Sequence, residues 1–209
     1  MILILWRWAY DHQMVDGFPR GVVKIKVPTK PVRAWTISQC CTVVKQSEEE
    51  AARFMRCGAS KALFLRCWLL LGYATGARFK DLWQMSQEHL DGSVLRYSQN
   101  KTGNAITVHL PDNCLDAVQS MLALSPDGTI LGWTCKKRRA MRIMKAHLQA
   151  CKLAGTSKWL RRSAATHVEI ASPGKARAFL GHKTPTMVRH YLDMGQLMQD
   201  VPQPPALVE

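Results

Sequence analysis

The segment KALFLRCWLLLGYA, residues 61–74, constrains this chain more than any other. It reads as a helix that is apolar nearly all round, and a helix of that kind is stable only with neighbours on every side. Its charge-free part, CWLLLGYATGA at residues 67–77, falls short of the roughly 20 apolar residues that a membrane span needs. The helix is therefore expected at the centre of a folded domain, wrapped by other elements. With 47% hydrophobic residues in 209, there is enough apolar material for that core, and the length suits one ordinary domain with a fragment of a second.

The wrapping elements are legible in outline. SEEEAARFMR reads as a helix, and ATGARFKDLWQM restarts one after Gly76. SVLRYS and AITVHLP read as strands on either side of the turn-rich QNKTGN, with Ile106, Val108 and Leu110 alternating inward. Helices follow at DNCLDAVQSMLAL, KKRRAMRIMKAHLQACKLAG and WLRRSAATHVEIA. A short helix ends at Leu180-Gly181, and Thr184-Pro185 reads as the N-cap and first residue of another, expected to carry Tyr191. The fold class is α+β: mainly helical, with a small antiparallel sheet or hairpin. Residues 1–16 form an amphipathic pattern whose Leu3, Leu5, Trp6, Trp8 and Ala9 need a partner, and residues 1–19 read as the end of an upstream domain. Residues 20–35 have the composition of a basic linker, and residues 36–209 are the main domain. The tail VPQPPALVE reads as irregular.

Net charge is +14, which favours a polyanionic partner, nucleic acid foremost, over a basic surface that only aids solubility. Two stretches concentrate it. Lys24, Lys26, Lys30 and Arg33 lie in the linker, suited to a strap along a phosphate backbone. Lys136, Lys137, Arg138, Arg139 and Arg142, with Lys145, crowd one helix and suggest a nucleic-acid face. The seven cysteines include no C-x-x-C pair, against a disulfide framework or a ribbon-type zinc site and in favour of a reducing compartment. MILILWRWAY lacks the basic leader and small-residue cleavage site of a signal peptide. The location expected is cytoplasmic, on the nucleoid if the source is bacterial, with no membrane partner.

A few side chains could carry chemistry. Arg78 reads as lying in the first turn of its helix, three residues before Asp81, a spacing that puts the carboxylate on the same face to orient the guanidinium. Arg161, in KWLRRSAATH, could join Arg78 in a multidentate clamp on one phosphate. Lys101, in the hairpin turn, could protonate a leaving-group oxygen, although a solvated turn lysine is the commoner case. His182 follows the expected helix-capping Gly181, where its imidazole can bond a phosphoryl oxygen. Tyr191 neighbours Met187 and Val188, which suits a core tyrosine as well as a nucleophile.

Taken together, TGARFKDL, the lysine of KTGN, LRRSAATH, and LGH followed nine residues later by tyrosine resemble the tyrosine recombinase (phage integrase) family. The resemblance runs from about residue 36 to 195. It implies a DNA integrase or recombinase that needs no metal and no ATP. Tyr191 would attack a phosphodiester of double-stranded DNA, leaving a 3′-phosphotyrosyl link and a free 5′-hydroxyl. Arg78 and Arg161 would neutralise the phosphate, supported by Asp81; Lys101 would protonate the 5′ oxygen; His182 would bond a non-bridging oxygen. Lys158 stands where most of the family carries histidine; lysine can still donate to a phosphate oxygen, as the related type IB topoisomerases do. Arg162 is assigned a backbone contact only. Family members act as homotetramers on paired DNA sites, and Leu192 to Met198 would form the short segment that packs into a neighbour. Two alternatives stand beside an integrase: a type IB topoisomerase-like enzyme, and a DNA-binding remnant that does not cut.

Overall fold

The computed structural model describes residues 2–18 and 30–198. The chain divides into two units, one up to Lys30 and one from Pro31 onward. In the first, α1 (Ile2–Asp11) runs into a turn closed by the Trp6 indole N–H, which donates to the Gly17 carbonyl at 2.9 Å. Trp8 stacks on His12, and the Arg7 guanidinium lies 5.6 Å from the Phe18 ring centre.

The second unit is built round α3 (Lys61–Thr75), the helix expected to be central. Ser60 caps its start by accepting the Leu63 N–H at 3.1 Å. It ends at Gly76, whose φ of +56° is the left-handed conformation glycine adopts freely. Phe64, Leu65, Cys67, Trp68, Leu69 and Leu71 are all buried, while Ala62, Arg66, Leu70 and Tyr73 form one half-buried stripe from which the Arg66 side chain reaches solvent. α5 (Asp112–Leu122) covers one side, bringing buried Cys114, Val118 and Met121 against it. α7 (Ser157–Ala171) crosses closely at Gly72, where an added Cβ would stand 2.6 Å from Leu160 Cδ2. α6 (Lys137–Ala150) adds Ala140, Met144 and Leu148 to the same core.

Three strands form an antiparallel sheet in chain order: β1 (Leu90–Asp91), β2 (Val94–Ser98) and β3 (Ala105–His109). The two longer strands match the sequence expectation, and β1 is an addition too short to show alternation. The register pairs Tyr97 with Ile106 and Leu95 with Val108, turning this set toward the core. Three single-turn helices close the fold: α8 (Ala176–Phe179), α9 (Pro185–Val188) and α10 (Met194–Leu197). They gather a second small core of Ala165, Ala176, Leu180, Val188 and Leu192.

Several expected elements differ. The helix expected at SEEEAARFMR lies earlier, as α2 (Ile37–Gln46), capped reciprocally by Thr36 and Gln39. Ser47–Glu50 is only a 3-10 turn, after which Glu50 ties back to Arg53 and Lys61 at 3.1 and 3.0 Å. Those ion pairs fold the segment onto the start of α3 instead of extending it. α4 (Phe79–Leu82) is one turn long, and Arg78 is its N-cap, outside the helix. α9 ends before Tyr191, which lies in a turn, and Val188 and Leu192 around it dip into the second core. No helix of the described residues is long and apolar enough to cross a membrane.

Trp68 tests the central role of α3. Truncating a buried aromatic of this kind costs about 3–5 kcal/mol. Trp68→Ala is therefore expected to shift the urea midpoint far below that of Met14→Ala in the first unit, an exposed position.

Candidate functional site

Five of the residues singled out in the sequence meet at one place, where the C-terminal end of α3, the β2–β3 turn, the N-terminal half of α7 and the α8–α9 turn converge. Arg161, on α7, is 5% exposed. Its guanidinium donates to the carbonyl of Gly76 and to that of Leu180, the latter at 3.3 Å. The left-handed turn at Gly76 aims the first of these oxygens, and the end of α8 presents the second. Nη2 also lies 3.3 Å from His182 Nε2, and Cζ sits 4.9 Å from the Tyr191 ring centre. The His182 and Tyr191 rings are 5.0 Å apart. Guanidinium, imidazole and phenol thus form one contiguous cluster.

An arginine N–H can only donate, so Nε2 of His182 accepts and the imidazole proton belongs on Nδ1. That Nδ1, like Arg161 Nε, is buried without a hydrogen-bond partner among the described residues. Burial, reinforced by the charges of Arg161 and Arg78, pushes the His182 pKa from its usual 6.5 down to about 4. The same burial, with Arg78 adding like-charge repulsion, lowers that of Arg161. The site is electropositive, desolvated and rich in donors, and its chemistry suits an oxyanion.

Arg78 joins it through a residue whose sequence context marked only a turn. Gln99 accepts from Arg78 Nη1 at 3.0 Å and donates through Nε2 to the Leu180 carbonyl at 2.8 Å. That carbonyl also receives Arg161, so one buried amide links the two arginines. Asp81 lies farther from Arg78, at 3.9 Å, because Arg78 is outside α4. Its Oδ1 instead accepts the backbone and side-chain N–H groups of Asn100, at 3.0 and 2.9 Å, tying α4 to the hairpin turn. Asn104 completes the tie by donating to the Gly181 carbonyl at 2.7 Å. Gly181 has φ +63°, and a Cβ there would stand 2.5 Å from Ile106 Cδ1. The bulkless residue lets the hairpin close against the turn that carries His182. Tyr97, beneath, is raised to about 12 chiefly by burial.

The other candidates stand apart from this cluster. Lys101 is exposed in the hairpin turn, two residues past Gln99, and Lys158 is exposed one helical turn before Arg161. Neither side chain makes a hydrogen bond among the described residues, and Arg162 is half-buried beside them. Lys136, Lys137, Arg138, Arg142 and Lys145 are exposed at the start and outer face of α6, with Arg139 half-buried. Lys30 and Arg33 are exposed; Lys24 and Lys26 lie outside the described residues. Gln99, Asn100 and Asn104 are site residues that sequence reasoning missed. Their only sequence signal is placement in the same turn as Lys101.

A mainly helical domain with a three-stranded sheet, in which two arginines, a histidine and a tyrosine converge, defines the class. The chain belongs to the phage integrase family: the model of that family matches residues 45–196. In structure it is similar to lambda integrase, as a dimer bound to a COC′ core site, with TM-score 0.69 and 18% identity over 100% of this chain and 60% of that one. Lambda integrase as a tetramer on a Holliday junction gives 0.65 and 19%, over 92% and 57%. XerA recombinase gives 0.64 and 14%, over 88% and 69%. This chain therefore spans about 60% of the length of the lambda integrase it matches. Among curated proteins, none matches in sequence.

The depressed His182 pKa has a measurable sign. Between pH 6.5 and about 4 the unfolded chain binds the proton and the folded chain does not, so stability rises with pH across that window. The contribution is fully present above 6.5 and is lost as pH falls toward 4. Denaturant titrations should therefore show a shallower pH slope for His182→Phe than for wild type, and NMR should find the wild-type imidazole neutral at pH 5.5.

Proposed function

We propose that this domain breaks and rejoins DNA strands by covalent catalysis through Tyr191. The observation that carries the reading is the cluster of Arg161, His182 and Tyr191, with Arg161 Nη2 3.3 Å from His182 Nε2 and its Cζ 4.9 Å from the Tyr191 ring. A buried guanidinium with no carboxylate partner among the described residues is suited to an oxyanion such as a phosphodiester. The Tyr191 oxygen would bond to phosphorus as the P–O5′ bond breaks, leaving a 3′-phosphotyrosyl link. Arg161 and Arg78 would stabilise the charge on the pentacoordinate phosphate, Gln99 holding both in register. His182 would donate from Nδ1 to a non-bridging oxygen.

Lys101 would supply the proton to the departing 5′ oxygen; its place in the turn beyond Gln99 supports reach into the site. Lys158, one turn before Arg161, would contact a phosphate oxygen. Reversal of the same step rejoins the strands, because the phosphotyrosyl bond retains the energy of the diester. Lys30, Arg33 and the exposed bases of α6 would neutralise the flanking backbone. Likeness to the lambda integrase tetramer bound to a Holliday junction supports assembly of four copies on DNA; a DNA substrate would place the protein in the cytoplasm.

The test uses labelled duplexes carrying a nick, from which the cleaved 5′ fragment diffuses away and traps the intermediate. Wild type is expected to yield a DNA–protein adduct that survives denaturant and EDTA, and Tyr191→Phe to yield none. Salt-sensitive DNA binding without an adduct would overturn the catalytic reading in favour of a binding remnant. In the same binding assays, Lys137→Ala combined with Arg138→Ala should flatten the dependence of log K on log salt by about 1 for each phosphate left unneutralised.

A further inference from the structure

We propose that Asp193 is a positioning residue for Tyr191, latching the turn that carries the tyrosine to the segment by which the chain enters the second unit; this rests on Tyr191 being the nucleophile. Tyr191 sits between two single-turn helices, α9 and α10, and one turn of helix is far too short to hold its own shape. Something else must fix the tyrosine. On its N-terminal side the Tyr191 N–H donates to the Val188 carbonyl at 2.8 Å, a contact within the same turn.

On the C-terminal side nearly every tie runs through Asp193. Its backbone N–H donates to Thr166 Oγ1 at 3.0 Å, a fully buried hydroxyl on α7. Its Oδ1 accepts the Gly195 N–H at 3.1 Å and starts α10. Its Oδ2 accepts the Ala34 N–H at 2.8 Å, across 159 residues of sequence. Gln196 closes the arrangement, donating to the Ala34 carbonyl at 3.0 Å and to Asp193 Oδ2 at 3.3 Å.

Ala34 is itself immobilised by the residue after it. The Trp35 backbone N–H donates to Ser163 Oγ and its indole N–H to the Ala154 carbonyl, both at 2.8 Å. Ser163 and Thr166 lie on α7, the helix that bears Arg161. Asp193 therefore references the tyrosine turn to the same helix as the phosphate-binding guanidinium twice, once by its backbone N–H to Thr166 and once by its carboxylate through Ala34. Without the carboxylate, the Asp193 N–H bond to Thr166 and the apolar anchor Leu192 remain, and a single directional tie leaves the turn free to pivot about it. Directional hydrogen bonds are what fix an attacking oxygen in line, and a displacement of about 1 Å can cost about 100-fold in rate.

The experiment compares wild type, Asp193→Ala and Asp193→Asn for single-turnover adduct formation at saturating nicked DNA, for DNA affinity, and for amide hydrogen exchange of the free protein. Asp193→Ala is expected to form adduct about 10- to 100-fold more slowly with DNA affinity unchanged. Exchange should quicken over residues 189–197 and at Ala34 while α3 keeps its protection. Asp193→Asn keeps an oxygen for the Ala34 N–H and should restore most of the rate. Adduct formation by Asp193→Ala at the wild-type rate would overturn the latch. So would a parallel loss of affinity, melting temperature and rate that Asn does not rescue, the mark of a merely structural residue. If wild type itself forms no adduct, the nucleophile assignment fails separately, and exchange over 189–197 unaltered by Asp193→Ala would overturn the latch on its own.

Discussion

The site depends on one costly act: a guanidinium is taken out of water with no carboxylate beside it among the described residues. Desolvating an ion costs several kcal/mol even after a protein relaxes around it. Arg161 recovers part of that through the carbonyl oxygens of Gly76 and Leu180 and the face of the Tyr191 ring. Dipoles and a π-face hold a cation without neutralising it. Arg78, linked through Gln99, adds a second positive charge and lowers the Arg161 pKa further. The charge left uncompensated there is one that an oxyanion would neutralise.

Each surrounding element can be understood by what it contributes to that arrangement. α3 must end in a left-handed residue for the Gly76 carbonyl to turn toward α7. α8 must stop at Leu180 so that its carbonyl stays outside the helix ladder, free for Arg161 and Gln99. The hairpin must be close enough for Gln99 and Asn104 to reach, which requires a glycine at 181. These contacts come from segments far apart in the chain, yet they converge on three backbone oxygens, those of Gly76, Leu180 and Gly181.

That convergence explains what the sequence made visible. α3 was legible because no other structure suits fifteen residues so uniformly apolar, and β2 and β3 because Leu95, Tyr97, Ile106 and Val108 alternate between turn residues. α2 was hidden: ISQCCTVVKQ is rich in β-branched residues and cysteine, and its clearest marker is the Thr36 and Gln39 cap. Arg78, Arg161, His182 and Tyr191 stood out as a set because their order and spacing matched a family. Gln99 could not, since its role exists only with Leu180, 81 residues away. The end of α9 was equally invisible. Thr184 and Pro185 announce where the helix starts, but it stops after one turn because Leu192 and Asp193 are drawn toward α7.

The deep burial of most of α3 also bears on how the chain is made. Two of its covers arrive late: α5 follows the whole hairpin, and α7, whose Leu160 packs on Gly72, follows α6 as well. During synthesis α3 emerges with α5, α6 and α7 still inside the ribosome. Until α5 and α7 are free, the apolar faces of α3 that they cover have water or another chain for company, which is the condition under which nascent proteins aggregate or recruit holdases. The order of the gene thus sets a waiting period. The residues that make the finished domain stable are the ones that endanger it before α7 has been translated.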